Sequence, residues 1–253
     1  MLAKRDRQAE IMDDPALEDQ QHAAALCGLQ RIHAVSGTLG RMWRPLKQLL
    51  ATQPDQQLRV MDVGCGDGLL LRQLYHCARR HGYTLQLVGC DFSARALELA
   101  EKAAGRERVP LELQQIDVTR QALPAPVDVV INSLFLHHFD DGDVPQILQQ
   151  FARAARRSVL IEDLLRSRLG LGLCWCGVRL LTRSPVVHVD GPLSVRAAFK
   201  MSEMRGLLAR AGWTQATLTK YWPERFFIQY APGVASQSAV EDAPPLSGGP
   251  HGN

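Results

Sequence analysis

The sequence predicts an α/β fold with a doubly wound, mostly parallel sheet. Two observations predict it. Between about residues 58 and 163, apolar segments of strand length alternate with segments of helical periodicity. One of them, Val127–Asn132, is almost continuously apolar, which is typical of a parallel strand buried on both faces. Two further strand-like segments, Trp213–Tyr221 and Arg225–Tyr230, are expected to complete the sheet.

The composition is that of a globular chain. Its 253 residues are 46% hydrophobic and 22% charged, which suits one domain with room for an appendage. A net charge of +3 is too small to indicate a nucleic-acid partner. The N-terminus lacks the apolar core of a signal peptide. The six cysteines have no spacing suited to zinc, so we expect reduced thiols, a cytoplasmic chain and no metal ion.

The first strand runs into a glycine-rich turn, Gly64-Cys65-Gly66-Asp67-Gly68, directly after Asp62-Val63. Such a turn before a helix brings the backbone close to a ligand, although an ordinary tight turn is the alternative. In the dinucleotide fingerprint the third glycine comes one residue later than Gly68. Asp67 would also repel a pyrophosphate. The turn therefore favours a ligand with a ribose and a cationic or zwitterionic tail.

Acids end the next two strands. Asp91 follows Leu85–Cys90, at the position where a ribose-binding carboxylate is expected. Ser93 is a candidate N-cap for the helix after it. Asp117 follows the third strand, Val109–Ile116, where its carboxylate could accept from an adenine amine. Both acids also have the simpler interpretation of turn or cap residues.

The fourth and fifth strands end in titratable residues. Past the fourth strand the chain reads Leu136-His137-His138-Phe139, and the fifth strand, Ser158–Ile161, is followed by Glu162-Asp163. Ligands of parallel α/β sheets bind at these strand ends. A carboxylate from one strand could orient an imidazole from its neighbour, which is the arrangement of a general base and its partner.

From Leu58 to Asp163, these segments together resemble the class I S-adenosylmethionine (SAM)-dependent methyltransferases. The resemblance implies a Rossmann-like seven-stranded sheet with a C-terminal antiparallel hairpin, an N-terminal helical cap, and SAM as cofactor. It implies cofactor contacts from the strand-end motifs: Asp62, Gly64, Cys65, Gly66, Asp91, Phe92, Asp117, Val118, Asn132 and Ser133.

Within this family, the His137-His138 segment is similar to that of methyltransferases acting on quinones, phenols and other small molecules. Enzymes that methylate base or protein amines often carry a Pro-Pro-aromatic motif there, whereas this chain has Ser133-Leu134-Phe135 after Asn132. The resemblance implies His137 as catalytic base with Asp163 as its partner. His138 is the alternative base, one of the two histidines is expected to be structural, and His188 is a further candidate from a loop.

We therefore expect O-methylation of a small lipophilic or phenolic acceptor. The alternatives are C-methylation of a quinol-type ring, a non-catalytic SAM-binding protein, and a nicotinamide-dependent oxidoreductase, which the early Gly68 and Asp67 disfavour.

The methyltransferase-like core is expected at residues 56–231, with further segments on either side of it. Residues 1–16 should be poorly ordered, residues 17–55 should form the helical cap, and residues 232–253 should be a disordered tail. In the cap, Arg41 and Trp43 either line the pocket or pack the cap onto the core.

A helical insertion is expected at about residues 164–200, with loops at Ser184-Pro185 and Asp190-Gly191-Pro192. Its apolar run, Leu169–Val178, is too short to span a membrane. It could line the pocket, contact a lipid surface or form a dimer interface, so we expect either a monomer or a homodimer.

Overall fold

The computed structural model describes residues 2–14, 16–52, 57–124 and 126–233. In this part of the chain a seven-stranded sheet has the order β3-β2-β1-β4-β5-β7-β6. Neighbouring strands from β3 to β5 are parallel, whereas β7 runs antiparallel to both β5 and β6. The strands are β1 (Leu58–Val63), β2 (Leu85–Asp91), β3 (Leu111–Gln115), β4 (Val127–Ser133), β5 (Ala155–Leu164), β6 (Thr217–Tyr221) and β7 (Arg225–Tyr230).

Helices cover both faces of the sheet, as predicted. They are α1 (Asp19–Ser36), α2 (Thr38–Ala51), α3 (Leu69–Arg80), α4 (Ala94–Glu107), α5 (Val144–Ala154), α6 (Arg168–Leu181), α7 (Pro185–Ala197) and α8 (Met201–Arg210). Two short 3-10 turns lie at Ile11–Asp13 and Leu136–His138.

Alternation along the strands divides the core into two layers. In β1, Val60 belongs to the cluster under α2 and α3, whereas Met61 belongs to the cluster under α5 and α8. Successive strand residues point to opposite faces, so a strand with apolar residues on both faces needs helices on both sides. The strand order reverses between β1 and β4, and this is where ligands bind in open α/β sheets.

A third apolar cluster lies above the strand ends, where α1, α6 and α7 pack together around Ala25, Val178 and Val187. The predicted loop at Ser184 is present between α6 and α7, but the one predicted at Asp190-Gly191-Pro192 was wrong, because α7 continues through these residues. Ser184 caps that helix by accepting from the backbone N–H of Val187, and Pro185 follows in the first turn. Gly191 remains helical where a Cβ atom would come within 2.9 Å of Val178, so a glycine there allows α6 and α7 to pack closely.

The N-terminal segment makes specific polar contacts, although the sequence predicts little order there. We call residues 2–14 the strap. Arg5 donates to the carbonyl oxygens of Phe139 and Ala197, and the N–H groups of Ile11 and Met12 donate to the carboxylate of Asp190. Such contacts leave no periodic pattern in the sequence. The predicted tail lies outside the described residues from residue 234 onward.

None of the helices in the described ranges combines the length and the apolar character needed to cross a bilayer.

Candidate active site

A cavity of about 1130 Å³ lies at the carboxyl ends of the central strands, beneath α1, α6, α7 and the strap. The glycine turn and the residues after β2 and β3 line one end. The other end is lined by His137, His138 and Glu10 together with apolar side chains from the covering helices, including Leu29, Leu173, Val178 and Leu181. One end is thus polar, and the other combines titratable groups with apolar surface.

The glycine turn lies tightly against neighbouring elements. Gly64 has a φ of 74°, and a Cβ atom there would lie 2.3 Å from the ring of Phe135. Its N–H donates to the carbonyl of Cys90 at 2.8 Å, and Gly66 N–H donates to the Asp91 carboxylate at 2.8 Å. Only glycine combines this backbone with so close an approach.

Two buried carboxylates lie beside the turn. Burial and the neighbouring Asp91 raise the pKa of Asp62 well above its usual range. Oδ1 of Asp62 is buried without a hydrogen-bond partner in the described part of the chain. Burial likewise raises the pKa of Asp91, although the N–H groups of Ser93 and Gly66 partly oppose the rise. Both acids would be stabilised as anions by a ligand that brings positive charge or hydroxyl donors.

The rim of this end is formed by residues after β2 and β3. Phe92 is 59% exposed, which is high for a phenylalanine, and its ring lines the cavity with Asp117 and Val118. The Asp117 carboxylate accepts from Thr119 N–H at 2.9 Å and its hydroxyl at 2.6 Å. These contacts fix the carboxylate at the cavity edge.

The two polar residues that end β4, Asn132 and Ser133, have different positions. Ser133 lines the cavity, as does Cys65 of the glycine turn. Asn132 is fully buried, and its side-chain amide donates to the carbonyl of Val63 at 2.6 Å. Of the predicted cofactor contacts, Asn132 is therefore the residue that ties β4 to β1 behind the cavity wall.

His137 and Asp163 are brought together by neighbouring strands. Nδ1 of His137 lies 2.7 Å from Oδ1 of Asp163, and the His137 N–H donates to Oδ2 of Asp163 at 3.0 Å. Burial alone would lower the pKa of His137, but the Asp163 carboxylate outweighs burial and holds that pKa above its usual value. The same pairing holds the pKa of Asp163 low despite its complete burial.

His138 has the opposite electrostatic environment. Its ring lies 4.3 Å from that of His137, centroid to centroid. Burial and the neighbouring His137 lower its pKa to about 3, so His138 stays neutral near pH 7. His188, the third candidate, lies in α7, where Nε2 is 2.9 Å from the Thr182 carbonyl oxygen and the side chain does not line the cavity.

The remaining candidates of the cap and of β5 are structural. Trp43 is buried and packs against His81 and Tyr83, with ring centroids 5.2 and 6.4 Å away. Glu162 is fully buried and pairs with Arg41 at 2.8 Å and with Arg225 at 2.7 Å. These pairs fasten α2 to the sheet.

No motif in the sequence indicated Glu10, which lies in the strap. Its Oε1 is 3.9 Å from Nε2 of His137. Among the residues that the structure describes, Glu10, His137 and His138 can offer three ligand atoms to a metal ion, all within 4.8 Å of one another. A metal ion on Nε2 of His137 would occupy the lone pair that a general base needs. Metal binding and general-base catalysis therefore exclude each other at this nitrogen.

Comparison with known proteins supports the fold and the chemistry. Residues 60–158 match a family model described as a methyltransferase domain. The chain is 25% identical over 181 residues to the ubiquinone biosynthesis O-methyltransferase of Brucella ovis, covering 68% of this chain and 69% of that protein.

Solved structures show the same fold. The plantazolicin methyltransferase BpumL, crystallised with a desmethylPZN analog and SAH, has a TM-score of 0.57 and 12% identity, with 85% of this chain and 99% of that chain covered. The SAM-dependent methyltransferase SibL, in its apo form, has a TM-score of 0.55 and 22% identity. That match covers 79% of this chain but 56% of SibL.

The domain match, the strand order and the glycine turn agree with one another. Residues 60–158 therefore carry a methyltransferase domain, and the fold and the related sequences support a SAM-dependent methyltransferase with SAM as its cofactor.

Proposed function

We propose that the protein methylates a hydroxyl oxygen of a small, lipophilic, phenolic acceptor, with His137 as general base and Asp163 as the partner that orients it. The observation that carries this proposal is the buried hydrogen bond of 2.7 Å between Nδ1 of His137 and Asp163. It leaves the other ring nitrogen, Nε2, for the acceptor.

The polar end of the cavity suits SAM. Asp62, whose Oδ1 is buried without a partner in the described residues, would bind the cationic methionine end together with the backbone of Gly64, Cys65 and Gly66. Asp91 would accept from the ribose hydroxyls, since a carboxylate oxygen accepts more than one hydrogen bond. Phe92, Asp117 and Val118 would contact the adenine, and Ser133 would lie near the methionine end.

SAM, when bound, supplies an electrophilic methyl group on its sulfonium sulfur. The chain's part is to hold the acceptor in line with that methyl group and to remove the hydroxyl proton. Orientation can lower the activation barrier by several kcal/mol, and by about 7 kcal/mol or more for an ideal arrangement. A correctly placed base typically adds about 10²–10⁴-fold.

The geometry supports His137 rather than His138 as that base. Nδ1 of His137 donates its proton to Asp163, so Nε2 is the nitrogen that accepts the hydroxyl proton. The resulting imidazolium is stabilised by the Asp163 carboxylate. His138, with a pKa lowered to about 3, is a poor proton acceptor near neutral pH.

The apolar side chains at the other end favour an aromatic acceptor with an apolar substituent. Leu29 of α1, Leu173 and Leu181 of α6, and Val187 of α7 line this part of the cavity. Burying such a ring would stabilise the complex by about 25 cal/mol for each Å² of apolar surface removed from water.

The outer surface of α6 supports a further contact. Trp175 is 53% exposed and Leu180 is 84% exposed, and the Arg179 guanidinium lies 4.0 Å from the centre of a Trp175 ring. This surface suits peripheral contact with a lipophilic phase or with a second copy of the chain. The six free thiols fit the proposed cytoplasmic location.

The test is methyl transfer from labelled SAM to a panel of alkylphenols, with NMR of the product to locate the methyl group. A methyl group on oxygen supports the proposal, and a methyl group on a ring carbon replaces it with C-methylation of a quinol-type ring. Binding of SAM without transfer to any acceptor would instead support a non-catalytic SAM-binding protein.

Treatment with a chelator distinguishes base catalysis by His137 from metal-dependent catalysis at Glu10, His137 and His138. Base catalysis predicts that turnover persists in EDTA. A loss of turnover in EDTA that is restored by a divalent cation would contradict the assignment of His137 as base.

A further inference from the structure

Glu10 is held in the cavity wall by contacts on both sides of it. On its N-terminal side, Arg7 donates to the His138 carbonyl oxygen at 3.1 Å and to the Asp140 carboxylate at 2.8 Å. On its C-terminal side, the N–H groups of Ile11 and Met12 both donate to the Asp190 carboxylate at 2.9 Å. The strap therefore fixes the backbone at residue 10 against both the 3-10 turn at Leu136–His138 and α7.

The Glu10 side chain is also fixed, and it lies beside the proposed base. The Ser194 hydroxyl lies 2.5 Å from Oε1 of Glu10, and that same oxygen is 3.9 Å from Nε2 of His137. The Glu10 side chain is 13% exposed, and both Glu10 and His137 line the cavity. A group that binds against Nε2 consequently contacts this carboxylate as well.

Burying a carboxylate against an acceptor is costly unless the acceptor supplies a hydrogen-bond donor or a positive charge. Arg5 and Arg7 already lie beside this segment: Arg5 donates to the His137 carbonyl at 3.1 Å, and Arg7 donates to that of His138. A neutral donor thus suits the site better than a third cation. An acceptor with a single hydroxyl has one proton and cannot donate to Nε2 and Oε1 together.

We propose that Glu10 forms a second acceptor subsite, which takes a hydroxyl on the ring carbon next to the oxygen that is methylated. The acceptor class is then a vicinal dihydroxyarene: one hydroxyl donates to Nε2 of His137 and its neighbour donates to Oε1 of Glu10. This inference rests on the proposed function for the identity of the methylated oxygen, but the subsite is a binding property and can be measured without turnover.

The test compares the binding of 4-hexylcatechol and 4-hexylphenol, measured by calorimetry with S-adenosylhomocysteine present. The two probes share the alkyl chain and differ by one hydroxyl. The variants are Glu10→Ala, the isosteric Glu10→Gln, and Asp6→Asn, which neutralises an exposed acid of the same strap. Melting temperatures check that each variant is folded.

The wild type and Asp6→Asn should bind the catechol at least about tenfold more tightly than the phenol, as expected for a hydrogen bond to a charged group. Glu10→Ala should bind both probes within about twofold, and Glu10→Gln should retain part of the preference. No preference in the wild type, an unchanged preference in Glu10→Ala, or no binding of the catechol would each overturn the subsite.

Failure of the proposed O-methylation would give a different result from failure of the subsite. A catechol preference that depends on Glu10, without methyl transfer to either probe, would leave the subsite intact and remove O-methylation. Methyl transfer to both probes without any binding preference would remove the subsite and leave O-methylation intact.

Discussion

Asp163 contacts His137 through both of its carboxylate oxygens, one at the ring and one at the backbone. Oδ1 is 2.7 Å from Nδ1, and Oδ2 accepts the His137 N–H at 3.0 Å. The two contacts fix the position of the residue and the orientation of its imidazole ring. Because Asp163 is ionised and accepts at Nδ1, the neutral ring carries its proton there and leaves Nε2 as a proton acceptor.

Replacing Asp163 by Asn should change the pH dependence of turnover. In the wild type the carboxylate holds the pKa of His137 above its usual value against burial. A base works when deprotonated, so kcat/KM should rise with pH through that raised pKa. In Asp163→Asn burial dominates, the pKa falls, and the rising limb should move to lower pH while the plateau drops. A limb at an unchanged pH would show that His137 does not control the rate.

Asp91 should matter more for cofactor binding than Asp117 does. Asp91 is buried and holds the Gly66 N–H at 2.8 Å, whereas the Asp117 side chain is 39% exposed at the rim. We expect Asp91→Asn to weaken S-adenosylhomocysteine binding by about 10–100-fold, as for loss of hydrogen bonds to a charged group. Asp117→Asn should weaken it by less than about fivefold. Equal effects in calorimetry would contradict the proposed ribose role of Asp91.

Removing Glu162 should destabilise the fold. The carboxylate is fully buried between Arg41 and Arg225 and also accepts from the Thr38 hydroxyl at 2.9 Å. Glu162→Ala leaves buried guanidinium groups without their partner, which typically costs about 3–5 kcal/mol.

The matched control for that variant is Glu112→Ala, which breaks an exposed pair with Arg59. It should change the free energy of unfolding by no more than about 1 kcal/mol. Urea unfolding of both variants measures the difference, and similar values would mean that the buried cluster does not fasten α2 to the sheet.

Gly64→Ala should disrupt the cofactor end of the cavity. The left-handed backbone alone costs a non-glycine residue about 1–2 kcal/mol, and the new Cβ atom would lie 2.3 Å from the Phe135 ring. S-adenosylhomocysteine affinity should fall at least about tenfold. Gly40→Ala, in an exposed part of α2 with open space around it, should instead raise stability by up to about 1 kcal/mol. Unchanged affinity in Gly64→Ala would contradict the tight turn.

Much of the core could be predicted because its signals are local. Apolar runs such as Val127–Ile131 indicate strands buried on both faces, and the glycine turn indicates a close ligand. The strand order places the ends of β4 and β5 side by side, so a carboxylate of one strand can orient an imidazole of the other. The specific pairing of His137 with Asp163 was implied by the resemblance to the methyltransferases.

The remainder depends on contacts between distant parts of the chain. Nothing around Glu10 indicates that the strap contacts residues 137–140, because single hydrogen bonds to backbone carbonyls leave no periodic signal. Pro192 suggested a loop, yet α7 continues through it, with Ser184 as the N-cap and Gly191 packed closely on α6. Asn132 resembled a cofactor contact, but its amide is used to join β4 to β1.

The most direct test of the account is the rate of methyl transfer from labelled SAM to 4-hexylcatechol by His137→Gln and His138→Gln. If His137 is the base, His137→Gln should lose about 10²–10⁴-fold in kcat while its affinity for S-adenosylhomocysteine stays close to that of the wild type. His138→Gln should lose far less. Turnover by His137→Gln within about twofold of the wild type would contradict the central claim, as would a larger loss in His138→Gln.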